Sequence, residues 1–345
     1  MHPLERNIGQ FFHRQGLPAV GDGIVVGVSA GSDSIALLSV LAALVGQMEL
    51  RLLAVYVDHG LRPKETAAEW LHVFQVASRF GVPAERVCVQ TKEYAAAKKY
   101  SLEKAARLLR YQAFDECRCS FQGRWIAVAH TADDQAEEVL IRLLRGSSRK
   151  ALSGMRWKKD NIIRPFLSLT KKDLQIYLNE KGISWCHDSS NDDTYFLRNR
   201  IRHELLPQLE REYDSGIRRA LCKTAENLAE DEALLEELTS DMWHVLLPMN
   251  QGQKEVSLPL TIERKIFLQY HLSLQRRFIE QLLWALGTTA KYEYIVKIVD
   301  AFRHGRSGSE LHFQKGLRLQ VTREVILFLY PKGRVSWRGS IRNKE

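Results

Sequence analysis

The chain has 345 residues, 45% of them apolar, which is enough for two domains with separate cores. Fifty Lys and Arg against 41 Asp and Glu leave a net charge of +9, an excess that favours a polyanionic partner such as RNA over an acidic one. Its five cysteines (Cys88, Cys117, Cys119, Cys186, Cys222) are odd in number and lack Cys-x-x-Cys spacing, so they read as reduced structural thiols of a cytoplasmic protein, not as a disulfide framework or zinc knuckle.

In chain order, the polar N-terminus carries no signal-peptide core, and residues 4–16 suggest an amphipathic helix with Leu4, Ile8, Phe11 and Phe12 on one side. Residues 24–28 form a continuous apolar run that reads as a buried strand. A helix follows from Ile35; its apolar stretch, 35–45, is too short to span a bilayer, so no membrane is expected. Between them lie Ser29, Ala30, Gly31, Ser32, Asp33 and Ser34. Such a turn presents backbone N–H groups and hydroxyls at a helix N-terminus, an arrangement suited to phosphate. A second strand at 52–57 ends in Asp58-His59-Gly60-Leu61-Arg62. A helix over 65–80 closes on Gly81 and Pro83, and 87–89 is a third short strand. The helix from Ser101 to about Cys117 puts Arg107, Arg110 and Tyr111 on one face, where they would meet a phosphate and stack a base. A fourth strand, 125–129, leads into His130-Thr131-Ala132-Asp133-Asp134-Gln135 and another helix. Four strand–helix alternations predict an open parallel sheet with helices on both faces, and the three polar loops then converge at the carboxyl ends of its strands.

Thr131 with Asp134 has capping-box spacing, which accounts for one carboxylate. Asp134, Glu137 and Glu138 also share a helix face, which repels itself until a cation such as magnesium or a substrate ammonium arrives. From Arg142 to Lys159 the charge inverts, with Arg145 among the basic residues. A helix is expected near Thr170, capped by Asp173. The polar Asp188-Ser-Ser-Asn191 loop then precedes Arg198-Asn-Arg200-Ile-Arg202, arginines that suit phosphate contacts. Beyond Pro207, helices are expected within 208–247, at 274–286 and at 292–302, followed by a small antiparallel sheet from runs 310–313, 317–321 and 325–329.

The loop at 29–34 resembles the Ser-Gly-Gly-x-Asp-Ser loop of the PP-loop ATP pyrophosphatases, with Ala30 in place of the first glycine. A methyl there is tolerable at negative φ and awkward at positive φ. His130-Thr-Ala-Asp-Asp134-Gln-Ala-Glu137, Val57–Arg62, Leu143–Ser147, Asp188–Asn191 and Arg198–Arg202 are similar, in order, to the motifs of tRNA(Ile)-lysidine synthetases. Thr131 and Glu138 depart from that pattern. The resemblance implies a PP-loop, adenine nucleotide alpha hydrolase-like catalytic domain (1–207), a helical linker (208–250) and a helical/α+β C-terminal tRNA-binding domain (251–345), without the further domain of long members. A dimerisation domain is the plainer reading of the C-terminal region. The implied reaction uses ATP and Mg2+ to adenylate the C2 carbonyl oxygen of cytidine 34 in the CAU anticodon of tRNA(Ile), and L-lysine then attacks C2 and displaces AMP.

The roles implied by the resemblance follow. Ser29, Ala30, Gly31, Ser32, Asp33 and Ser34 bind ATP. Asp33, His130, Asp134 and Glu137 are catalytic, and Asp33 and Asp134 hold the metal. Asp58, Asp134 and Glu137 bind lysine. Arg107, Arg110, Arg145, Arg198, Arg200 and Arg202 contact tRNA. Two rival readings are a tRNA 2-thiolation enzyme of the same superfamily and a non-catalytic nucleotide-binding RNA module.

Overall fold

The computed structural model describes residues 1–61, 63–147, 149–186, 197–247 and 258–330. Arg62, the Asp188–Asn191 motif and the Gly252 break lie outside them. The chain divides into two compact units, Met1–Ala229 and Glu230–Glu345, with the division inside one long helix, α11 (Ile217–Leu246).

The first unit is built on β1 (Gly23–Gly27), β2 (Arg51–Asp58), β3 (Ala84–Cys88), β4 (Trp125–Ala127), β5 (Lys158–Lys159) and β6 (Ile162–Ile163), in the order β3-β2-β1-β4-β6-β5. All neighbours pair parallel except the terminal β5–β6 pair. The continuous apolar runs follow from burial on both faces. Ile24 and Val26 join one cluster with Leu52, Ala54 and Tyr56, while Val25 joins Leu53, Val55 and Phe114 on the opposite face. The first cluster takes in α1 (Pro3–Gln15), α2 (Ser32–Met48), α3 (Pro63–Arg79) and α8 (Lys171–Glu180); α5 (Leu102–Ser120) covers the other. Gly27 permits that covering, because a Cβ there would stand 2.5 Å from the Phe114 ring.

Strand order reverses at β1. The chain moves outward from β1 to β2 and β3, then returns to place β4 on the other side of β1. The crevice at such a reversal is where open α/β sheets bind ligands, and the loops after β1 and β4 both open there. After β4 come α6 (Ala132–Leu144) and the short α7 (Arg149–Leu152).

Several boundaries differ from the expectations. The third strand is 84–88 rather than 87–89. A helix, α4 (Thr91–Lys98), follows it, and an antiparallel β5–β6 hairpin extends the sheet. The Arg198 motif is itself helical: α9 (Leu197–Arg200), a π-helical turn over Ile201–Leu205, and α10 (Leu206–Glu212).

In the second unit, β7 (Leu260–Glu263), β8 (Glu310–His312), β9 (Arg318–Val321) and β10 (Val325–Leu329) form an antiparallel sheet ordered β7-β10-β9-β8. It packs with α12 (Arg264–Phe267), α13 (Leu272–Ala285) and α14 (Tyr292–His304) around Phe267, Phe278 and Phe302. Phe267 and Phe302 stack with ring centroids 3.9 Å apart. The buried Glu232 of α11 is held by both terminal nitrogens of Arg277.

Candidate active site

The loop after β1 folds around its own serines. Ser29 N–H donates to Ser34 Oγ at 3.0 Å, Ser34 Oγ donates to the Gly31 carbonyl at 3.0 Å, and Ser32 Oγ donates to Asp33 Oδ1 at 2.9 Å. Gly31 is the N-cap of α2 and brings no side chain, so among the described residues no side-chain cap takes the first-turn amides of the helix. Those amides stand at the positive end of the dipole, an arrangement that suits the phosphate role expected of 29–34. Ala30 lies at φ +61°, the conformation a glycine would hold there, with its methyl fully buried and its carbonyl accepting from Cys186 N–H at 2.9 Å. The loop therefore keeps a left-handed turn and carries the strain of a side chain in it.

The α6 carboxylates are neutralised from within the chain. Thr131 and Asp134 form the capping box, with Asp134 Oδ2 accepting from Thr131 N–H at 2.9 Å and from its Oγ1 at 3.1 Å. Oδ1 of the same carboxylate takes Arg198 Nη2 and Arg202 Nη2, each at 3.1 Å. Glu137, wholly buried, takes Arg198 Nε at 2.9 Å, and Arg202 through Nε at 2.5 Å and Nη2 at 3.0 Å. Glu138 pairs with Arg142 one turn on, at 2.7 Å. The shared acidic face is thus real, but the cations that settle it are two arginines more than 60 positions away. Burial acts to raise the Asp134 pKa, yet Arg198, the nearby His130 and the remaining partners hold it below the usual carboxylate range. Asp33 goes the other way: burial raises it, and Lys171 and Ser32 only partly compensate.

These contacts separate the six arginines. Arg107, Arg110, Arg145 and Arg200 are exposed, whereas Arg198 and Arg202 are half-buried and spent on Asp134 and Glu137. The guanidinium of Arg107 lies 5.4 Å from the Tyr111 ring, as expected for one face of α5. Asp58, expected at lysine, pairs with Arg86 at 2.7 Å and accepts from Gly60 N–H at 2.9 Å. His59 contacts Thr91 Oγ1 at 3.2 Å. Burial first, then Arg110, pushes the His59 imidazole down to about 4.

Three site features lie beyond what motif spacing reveals. Gln135 clamps the backbone of Met155 by donating to its carbonyl at 3.1 Å and accepting from its N–H at 2.8 Å. Gly154 leaves room for that clamp, since a Cβ there would sit 2.6 Å from the Gln135 amide. Buried Arg164 donates to His130 Nδ1 at 3.1 Å. Lys171 donates its backbone N–H to Asp133 at 2.8 Å, bringing the start of α8 beside that of α6. Only the existence of a polar residue in each loop was a signal; the partners are distant in sequence.

A family model described as the PP-loop domain matches residues 1–209. The tRNA(Ile)-lysidine synthase of Bacillus subtilis is 31% identical over 335 residues, 95% of this chain and 70% of the relative. The chain belongs to the tRNA(Ile)-lysidine synthase family of PP-loop proteins. A synthase of Geobacillus kaustophilus is 31% identical over 328 residues, 93% of this chain and 69% of that protein. One from Geobacter sulfurreducens reaches 38% over 251 residues, 72% of this chain. The chain thus spans about half (53%) of the Geobacter protein's length. Among solved structures, the U34-tRNA thiolase NcsA from Methanococcus maripaludis superposes with a TM-score of 0.54 over 66% of this chain and 78% of its own, at 16% identity, which shows a shared fold.

The lysidine synthase family's Mg2+ was expected at Asp33 and Asp134. Asp33 fits, as a half-buried carboxylate incompletely compensated by its neighbours. Asp134 does not fit as it stands: Thr131, Arg198 and Arg202 take both oxygens twice, filling its acceptor positions. Among the described residues, no group of three or more His, Cys, Asp or Glu is placed to hold a metal. Among them also, no helix is long and apolar enough to cross a membrane.

Proposed function

We propose that this chain ligates L-lysine to C2 of cytidine 34 in the CAU anticodon of tRNA(Ile). The C2 oxygen attacks the α-phosphorus of ATP and pyrophosphate leaves; the lysine ε-amine then attacks C2 and AMP leaves. The observation that carries this reading is the convergence of the 29–34 loop, the His130–Glu137 segment and Arg198 with Arg202 at the β1/β4 reversal. The amides and hydroxyls of Ser29, Gly31, Ser32 and Ser34 hold pyrophosphate. Asp33 is the carboxylate that would hold Mg2+, which would supply charge neutralisation at the phosphates. Asp134 meets the substrate ammonium, which displaces one of the two arginine donors on its Oδ1, with Glu137 behind it. Asp58 orders the loop after β2 beside this site. Arg107, Arg110, Arg145 and Arg200 contact the RNA, while Arg198 and Arg202 set the acidic wall. The second unit binds the tRNA, and a homodimer surface is its alternative use.

Thiolation is disfavoured by the cysteines. Burial, then Glu85, pushes the Cys117 thiol up to about 11, which leaves little thiolate for sulfur transfer. Labelled lysine, ATP and unmodified tRNA(Ile) test the reading. It predicts one AMP released per lysine incorporated; ADP formation, or AMP without incorporation, contradicts it.

A further inference from the structure

Arg164 is a buried cation whose partners among the described residues include no carboxylate within ion-pair distance. It donates Nη1 to the Arg156 carbonyl at 2.9 Å and Nε to His130 Nδ1 at 3.1 Å. A buried guanidinium left without an anion is costly, and Arg107 adds a second positive charge close by. The bond to Nδ1 has a definite consequence. Guanidinium only donates, so Nδ1 must be the unprotonated nitrogen and the ring proton sits on Nε2. Among the described residues, that Nε2 makes no hydrogen bond, and it is not among the buried unpaired atoms, so it is reachable by solvent. Asp134, Arg164, Arg198 and Arg107 all act on the ring, and burial keeps the imidazole neutral.

We propose that Arg164 is a positioning residue that fixes His130 as an Nε2–H donor to a phosphate oxygen of the substrate, the two together forming an anion-accepting pair after β4. This rests on the ligation reading above. It gives His130 a donor's task instead of that of a proton-transfer group. The phosphate belongs either to ATP or to the tRNA backbone.

The direct test is the 15N spectrum of the histidine-labelled full chain at neutral pH. Expected for His130 is a neutral ring with Nδ1 as the bare nitrogen; an Nδ1–H tautomer or an imidazolium overturns the proposal, with no variant required. His130→Gln, whose amide reaches the Nε2 position, is expected to keep at least tenfold more kcat than His130→Asn, whose loss should be about 10²–10³-fold. Equal losses contradict it. Arg164→Gln is then titrated with ATP alone and with tRNA alone. Weakening of about tenfold for ATP assigns the phosphate to the nucleotide, weakening confined to tRNA assigns it to the backbone, and weakening of neither overturns the pair. If the unaltered chain makes no lysidine, the ligation reading fails, while the tautomer and the two titrations still decide this one.

Discussion

Arg202 grips Glu137 across 65 positions of chain, Nε to Oε1 at 2.5 Å and Nη2 to Oε2 at 3.0 Å. The carboxylate is fully buried, and Arg198 closes its remaining side at 2.9 Å. The pairing joins α6 to the helical segment after residue 197 and sets the electrostatics of the crevice. It also makes the acidic wall and the arginine motif one unit.

Breaking that unit from one side leaves uncompensated buried charge. Glu137→Ala should cost about 3–5 kcal/mol by denaturant unfolding. In a double-mutant cycle with Arg198→Ala, the two losses should fall short of additivity by at least about 1 kcal/mol. Additive losses would mean that the two side chains do not share the charge balance.

Ala30 at φ +61° leads to an unusual expectation for an alanine. Ala30→Gly removes about 1 kcal/mol of left-handed strain and adds a similar unfolded-state entropy, so stability should stay within ~0.5 kcal/mol of the unaltered chain. Ala36→Gly, inside α2, should lose about 1 kcal/mol or more. Equal losses at both positions, measured by thermal unfolding, would contradict the left-handed turn.

Much of this site was legible because its signals are local. The apolar runs of β1 and β2, the capping boxes at Thr131 and Thr170 and the phosphate loop all lie within a few residues of one another. β3 was misplaced because Ala84-Glu-Arg-Val-Cys88 is half polar and lacks the continuous run of its neighbours. α4 is short, and its N-cap, Gln90, makes no side-chain cap. β7 is recognisable only through β10, more than 60 residues later. Nor could spacing show that Arg198 and Arg202 answer Asp134 and Glu137, or that Arg164 meets His130. Those pairs form only once the sheet has brought α6, β6 and the segment after residue 197 together.

His59 makes folding sensitive to acid. Its imidazole ionises at about 4 in the fold against 6.5 unfolded, so the unfolded chain binds more protons between those values. Stability is complete above about pH 6.5 and falls as pH drops toward 4, by on the order of 2 kcal/mol. His59→Gln should flatten the slope between pH 7 and pH 5 in chemical denaturation. An unchanged slope would rule out His59 as its source.

The two classes of arginine should differ in the salt dependence of tRNA binding. Removing exposed Arg107 or Arg200 should lower the slope of log affinity against log salt by about 0.7–0.9 each. Arg202→Ala, already balanced by carboxylates, should change it by less than half as much. Equal slope changes for Arg202 and Arg107 would place both on phosphate.

The proposed function makes the loops after β1 and β4 one adenylation and ligation site. ATP-dependent incorporation of labelled lysine into unmodified tRNA(Ile), measured for the unaltered chain beside Asp134→Asn with tRNA affinity followed in parallel, tests it most directly. Incorporation is expected for the unaltered chain, with at least a 10²-fold loss in the variant and tRNA affinity within about twofold. Full incorporation by Asp134→Asn would reduce that residue to a helix cap, and no incorporation by the unaltered chain would rule out the shared site.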